Sequence, residues 1–288
     1  MDGVGLLYGL LAASIWGGMY VASKVVLDTV PPFVLLSSRL ILGAVTLLPF
    51  VWRKRGGSFA AKDWGKVLGV GLLGYGISLG FQFVGTKLST AANGSLVTSA
   101  TPAFVLLFAA WLLKERITTR RLQALGIASI GVVIVLDPRT ARLSPDLFLG
   151  NISLVAAALT WALYSVLIRK VTRGLDVLPV SLVAFLGGLP LTIPVAVYEW
   201  NQYGVGELSW VLICGILYIG VVSTGMAMYF WNTAFARLEA GIASLTFFAQ
   251  PVVGAGLGAL LLSEKITPLF LVGGALIGVG LVLAASDT

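Results

Sequence analysis

The stretches TPAFVLLFAAWLLKERIT (Thr101–Thr118) and QPVVGAGLGALLLSEKIT (Gln250–Thr267) share one pattern: a proline, a long apolar run, then a charged turn ending in Ile-Thr. They stand 149 residues apart. The same shift aligns Gly76 with Gly225, Phe81 with Phe230, Ser95 with Ser244, Glu115 with Glu264 and Gly131 with Gly280. Nearer the start a shift of 145 pairs Gly5 with Gly150, Trp16 with Trp161 and Lys24 with Arg169, so the second copy carries a longer connection. Alanine and leucine matches mean little in so apolar a chain. Pro, Trp and Glu are rare in it, and self-similarity at a fixed period marks a repeated architecture. The chain therefore divides into a first repeat, 1–137, and a second, 147–288.

Composition says what each copy is made of. The 288 residues are 58% hydrophobic and 11% charged, with a mean hydropathy of +0.99, whereas an ordinary soluble domain carries roughly 25% charged residues. A soluble helix needs a polar outer face. Most segments here are apolar all round, so lipid is the expected solvent. Apolar runs between polar breaks give spans near Gly5–Val26, Pro32–Trp52, Val67–Thr86, Ala91–Leu113 and Arg121–Leu136. The second copy gives Leu147–Ile168, Leu178–Tyr198, Leu208–Ala236, Gly241–Leu262 and Pro268–Ala284. The predicted fold class is all-α integral membrane, with ten transmembrane helices as two five-helix repeats.

Loop charge orients them. With ten spans both termini share a side, together with loops holding thirteen basic residues: Arg53, Lys54, Arg55, Lys62, Lys66, Lys114, Arg116, Arg120, Arg121, Arg169, Lys170, Arg173 and Arg237. The other side has five, Lys24, Lys87, Arg139, Arg142 and Lys265. The positive-inside rule then puts both termini in the cytoplasm. Five spans is an odd number, so the second repeat enters the membrane from the opposite side. Inverted repeats of this kind are a feature of secondary transporters, with substrate held between the halves near the midplane.

The paired helix ends, the Trp16 and Trp161 openings and the Ser-rich entry to spans four and nine resemble the EamA-type repeats of the drug/metabolite transporter (DMT) superfamily, from about Leu6 to Leu283. The resemblance implies ten helices, cytoplasmic termini and alternating access around a central cavity. Many members export amino acids or related metabolites, and this chain is similar to the branch of bacterial inner-membrane exporters for aromatic amino acids and methionine. The implied partners are a small-molecule substrate and membrane lipid, with a monomer sufficient for function and neither cofactor nor nucleic acid involved.

Candidate site residues come from the repeat and from polar or aromatic side chains deep in spans. Pro102 and Pro251 are expected hinges, since proline removes a backbone donor and clashes one turn earlier. Just before them the copies diverge: Thr98, Ser99 and Thr101 correspond to Phe247, Phe248 and Gln250. A site between them has one polar and one aromatic wall, which suits a zwitterion with an apolar side chain; alternatively the hydroxyls bond the preceding turn and the rings face lipid. Trp16 and Trp161 lie too deep for an interfacial aromatic belt, and Tyr20, Tyr75, Gln82, Tyr164, Tyr229 and Asn232 are further candidates for a mostly apolar pocket. Arg39, well inside span two, either meets a substrate carboxylate or snorkels outward. Lys24 and Arg169 read as gate residues or interfacial anchors. Glu115 and Glu264 read as structural, with Thr118 and Thr267 capping the helices that follow. The glycine pairs Gly5/Gly9, Gly76/Gly80, Gly254/Gly258 and Gly274/Gly278 allow close helix contact.

What is missing narrows the chemistry. A single cysteine, Cys214, and no histidine argue against a disulfide, a metal cluster or a thiol nucleophile, and there is no phosphate-binding GxxxxGK[ST] loop. The alternatives to an amino-acid exporter are a multidrug or cation efflux carrier, another metabolite permease, or, further off, a membrane-embedded enzyme.

Overall fold

The computed structural model describes residues 2–54, 61–89, 94, 97–136, 147–262 and 268–286. The described residues form helices and short connections. Helix α1 spans Gly3–Leu27, started by Asp2, whose carboxylate accepts the Val4 and Gly5 N–H groups. Helix α2 is Pro32–Arg53, with proline at its first turn where a missing N–H costs nothing. Helix α3 runs from Ala61–Gly71 through a π-helical stretch, Leu72–Ser78, to Leu79–Leu88. Helix α4 is Thr101–Phe108 continued by Ala109–Leu113, and α5 is Thr119–Leu136. In the second part α6 spans Phe148–Thr172 and α7 Val177–Tyr203. Helix α8 passes from Trp210–Leu217 through a π-helical stretch, Tyr218–Met226, to Ala227–Arg237. Helix α9 is Ala240–Leu245, a 3₁₀ turn Thr246–Phe248 and Ala249–Leu262, and α10 is Pro268–Ala285.

Six of these, α1, α2, α3, α6, α7 and α8, are long and apolar enough to cross a membrane, and Thr101–Leu113, Ala240–Gly254 and Leu271–Ala284 are shorter apolar helices. The protein is thus an all-helical, multi-pass membrane protein. Large apolar side chains such as Leu149, Val211 and Val282 face outward, as lipid requires. Trp52, Trp64, Tyr198, Trp200 and Trp210 are exposed near helix ends, where indole and phenol rings suit the lipid–water boundary.

The helices pack in a reciprocal pattern: α2 on α7, α5 on α10, α1 on both α8 and α9, α6 on both α3 and α4. Small residues let backbones touch. A Cβ on Gly71 would lie 2.1 Å from Ala184 O and one on Gly187 2.3 Å from Leu68 O, so α3 and α7 meet at main-chain distance. Gly5, Gly9, Gly80 and Gly254 also stand against neighbours, whereas Gly274 and Gly278 face open space. That corrects the expectation for this last pair. Helix α10 turns the Gly273–Ile277–Gly280 face to α5, where Gly131 and Ala128 receive it; residues at 274 and 278 project about 100° away from that seam.

One end of the bundle gathers both ends of the described chain and the charges. Arg237 pairs with Asp2 at 2.6 Å, Lys54 with Asp176 at 2.6 Å, Arg169 with Glu115 at 3.1 Å, Arg121 with Glu239, and Arg120 reaches Ser286 O. The Arg237 guanidinium holds the Asp2 carboxyl below its ordinary range, and Asp176 holds the Lys54 amine above its own. Glu115 does more than sit at a helix end: its two oxygens accept the Ala240 and Gly241 N–H groups, capping α9. Thr118 accepts from Arg121 N as expected of a cap. Lys24 and Arg169 are neither free nor lipid-facing. Lys24 donates to the Thr86, Lys87 and Ser89 carbonyls at the end of α3, and Arg169 donates to Phe235 O near the end of α8, each satisfying helix C-terminal acceptors. Glu264 and Thr267 lie outside the described residues.

Candidate functional site: a cavity between the two halves

Prolines mark the turns where the site is built. Pro102 stands in the first turn of α4, where its missing N–H costs nothing, and Pro251 has no N–H to give Phe247 O. The chain turns at Ser99-Ala100 before α4 begins, and it tightens to a 3₁₀ turn at Thr246–Phe248 before Pro251. These turns carry Thr98, Thr101, Phe247 and Gln250 to the wall of a narrow cavity.

Helix α1 contributes Trp16 and Met19, α3 contributes Ser78, Leu79 and Gln82, α6 contributes Ala157, Ala158 and Trp161, and α8 contributes Met228. Trp16 and Trp161 meet edge to face at 5.8 Å between centroids, and Phe247 lies 6.0 Å from Trp16. Trp16 is fixed by its indole N–H, which donates to Ser223 O at 3.0 Å in the π-helical stretch of α8. Four pairs of lining residues are related by the repeat spacing. They are Trp16 and Trp161, 145 apart, and Leu79 and Met228, Thr98 and Phe247, Thr101 and Gln250, each 149 apart.

Of the residues singled out in the sequence, Trp16, Gln82, Thr98, Thr101, Trp161, Phe247 and Gln250 are brought together on this wall. Tyr20 stands directly behind it, bonded to Thr98 and Gln82. Tyr75, Tyr164 and Asn232 form a second layer behind Trp161. The Tyr75 and Tyr164 hydroxyls bond each other, Tyr164 donates to Asn232 Oδ1 at 2.7 Å, and Asn232 Nδ2 donates to Tyr75 and to Ser181. This network ties α3, α6, α7 and α8 together, and its rings support Trp161 at 4.7 Å from Tyr164 and 6.2 Å from Tyr75.

Three candidates are not brought to the cavity. Phe248 packs with Ala124, Ala128, Leu245 and Ile277 between α5, α9 and α10. Adjacent residues on a tight helical turn point about 100–120° apart, so Phe247 and Phe248 cannot share one wall. Tyr229 sits against Tyr8 and Phe230. Ser99 is buried in the turn before α4 without lining the cavity.

Arg39 is 0% exposed, so it does not snorkel. Its Nε donates to Thr224 Oγ1 at 2.7 Å, Nη1 stands 3.9 Å from Met19 Sδ, and the guanidinium lies 5.1 Å above the Phe83 ring. Nη2 has no partner, and no carboxylate among the described residues pairs with it. Met19, which meets the guanidinium, also lines the cavity, and its side chain is flexible.

Met19, Ser78, Leu79, Ala157, Ala158 and Met228 escaped the sequence reading. A small or apolar residue carries no signal in an apolar chain. One clue existed: Ala157 and Ala158 stand four and three residues before Trp161, as Ala12 and Ala13 do before Trp16, so each indole has small neighbours on its own helix face.

Apolar helices packed around an aromatic cavity suit a membrane carrier for small molecules. The chain belongs to the EamA-like transporter family, whose sequence profile matches it twice, at residues 3–137 and 148–286. Among its relatives is a "Probable amino-acid metabolite efflux pump" of Escherichia coli, 27% identical over 97% of this chain and 93% of that protein. The "Aromatic amino acid exporter YddG" of Ancylobacter novellus is 27% identical over 86% of this chain and 85% of that one. The "Uncharacterized transporter YoaV" of Bacillus subtilis is 23% identical over 96% of each. A solved crystal structure superposes with a TM-score of 0.80 over 99% of this chain and 97% of that chain at 22% identity, which shows the shared fold.

Proposed function

We propose that this protein exports neutral amino acids, aromatic ones foremost and others such as methionine or threonine, across the bacterial inner membrane by alternating access. In this reading α1 to α10 all cross the bilayer, both termini are cytoplasmic, and 1–137 and 147–288 are inverted repeats with substrate between them. The observation that carries it is the cavity itself, lined at matched positions by both family-matching segments. The reciprocal helix packing supports the two-fold relation, and the family relatives named as amino-acid exporters support the cargo.

The wall suits that cargo. Trp16, Trp161, Phe247 and the two methionines offer an apolar seat for a side chain. Gln82, Gln250, Thr98 and Thr101 offer polar anchors, and Arg39 sets a positive potential behind Met19 that low dielectric carries into the cavity. Pro102 and Pro251 serve as bending points, because the ladder is already broken beside each. A cation-efflux reading fits less well, since among the described residues none lining the cavity is acidic.

Among the described residues no carboxylate lines the cavity, so the proposed carrier works without a carboxylate relay for protons. Labelled phenylalanine should therefore show counterflow in liposomes carrying the purified protein with no pH gradient. Strict dependence on an imposed proton gradient overturns the coupling claim. A panel of aromatic and small neutral amino acids, riboflavin and cationic dyes tests the cargo, and movement of dyes without amino acids overturns it.

A further inference from the structure

The bonds around Tyr20 fix the direction of a relay at the cavity wall. Thr98 gives its hydroxyl hydrogen to Gly94 O at 2.6 Å, so towards Tyr20, at 2.8 Å, it has only a lone pair to offer. Tyr20 therefore donates to Thr98, and its own oxygen is left as an acceptor. Gln82 meets that oxygen with Nε2 at 2.8 Å, its NH₂ side turned to an accepting oxygen. Gln250 is 3% exposed and lines the cavity, and its Oε1 has no partner among the described residues. Gln82 lines the same cavity, with its Nε2 committed to Tyr20.

A buried acceptor without a partner is costly and calls for a donor. The rings of Trp16, Trp161 and Phe247 line the same cavity, and ring faces attract a cation. We propose that Gln250 Oε1, with Gln82 on the same cavity wall, receives the protonated primary amine of the transported molecule. The proposal rests on the reading of this cavity as the transport site and names the group recognised there. Arg39 adds a second criterion. A buried guanidinium on the far side of Met19 repels an amine that brings no carboxylate, so a zwitterion is favoured over the corresponding simple amine.

The test is binding to the purified full-length protein, read from quenching of the cavity tryptophans. The probes are L-phenylalanine, 3-phenylpropionate, which lacks the amine, and phenethylamine, which lacks the carboxylate. Phenylalanine should bind at least about tenfold more tightly than either, the lower end of what a charged hydrogen bond is worth. Gln250→Met should erase the advantage over 3-phenylpropionate while leaving 3-phenylpropionate itself unchanged, which shows that the cavity still forms. Gln250→Glu should restore phenylalanine binding and strengthen phenethylamine. Equal binding of phenylalanine and 3-phenylpropionate, or an undiminished preference in both Gln250→Met and Gln82→Met, overturns the proposal and leaves the transport reading standing. Loss of all three probes in both Gln250 variants assigns the residue a structural role and overturns it too. If none of the three binds the wild type, both readings fall.

Discussion

Replacing Arg39 by methionine is expected to cut phenylalanine counterflow about a hundredfold, or about 2.7 kcal/mol, while the protein folds as well as before or better. Arginine carries five N–H donors, and among the described residues this one meets the Thr224 hydroxyl, a thioether and a ring face. Taking a guanidinium out of water costs several kcal/mol even after relaxation, and a missing counter-ion leaves that cost unrecovered. Replacing buried charges by apolar side chains of similar size is often neutral or stabilising by about 1–4 kcal/mol. Thr224 keeps its bond to Ile219 O in the variant, so no new orphan is created. A charge held at such cost implies a use for it, and attraction of a substrate carboxylate is the use this position allows. The measurement pairs thermal unfolding in detergent with counterflow per folded molecule. A destabilised variant whose surviving molecules transport normally would make Arg39 structural.

The second large effect is on folding. Gly71→Ala should cost about 3 kcal/mol or more, at or beyond the upper end of ordinary overpacking, and Gly71→Val should leave little folded protein. The clash at 2.1 Å is with the main chain of Ala184, which cannot swing aside as a side chain can, and Gly187 locks the same seam from the other helix. Gly69, two residues away and on the opposite side of the helix, is the control. A Cβ there meets nothing within 4 Å, so Gly69→Ala should be neutral or stabilise by up to about 1 kcal/mol through helix propensity. Melting temperatures of the two alanine variants decide the matter. Similar values would mean that α3 and α7 are not held at backbone distance.

Hydropathy made the spans legible because lipid imposes one strong rule, apolar on all sides. For the same reason it hid everything finer. The π-helical stretches Leu72–Ser78 and Tyr218–Met226 add a residue to a turn without changing composition. Yet they shape the ends of α3 and α8 that reach the cavity, and one of them supplies the carbonyl that holds Trp16. The rare residues were informative. Trp16, Trp161, Gln82 and Gln250 are conspicuous among leucines, and all line the cavity. Phe248 looked equivalent to Phe247 because spacing in sequence does not show which side of a tight turn a ring takes. Arg39 was conspicuous too, but only packing could show that it stays inside, unpaired. Glu115 was legible as a helix-end residue. Its cap on α9 joins elements more than a hundred residues apart, which no local pattern encodes.

Whether substrate passes through the cavity between the halves is decided by one comparison. Counterflow of labelled phenylalanine is measured in liposomes for the wild type, for Trp161→Ala and for Trp111→Ala, each normalised to folded protein. Trp161 lines the cavity at 7% exposure, whereas Trp111 is 67% exposed on the outer face of α4. The account predicts robust exchange in the wild type and in Trp111→Ala, with at least about a tenfold loss in Trp161→Ala, the worth of one or two aromatic contacts. Equal exchange by all three proteins, or equal loss in both variants, would contradict it.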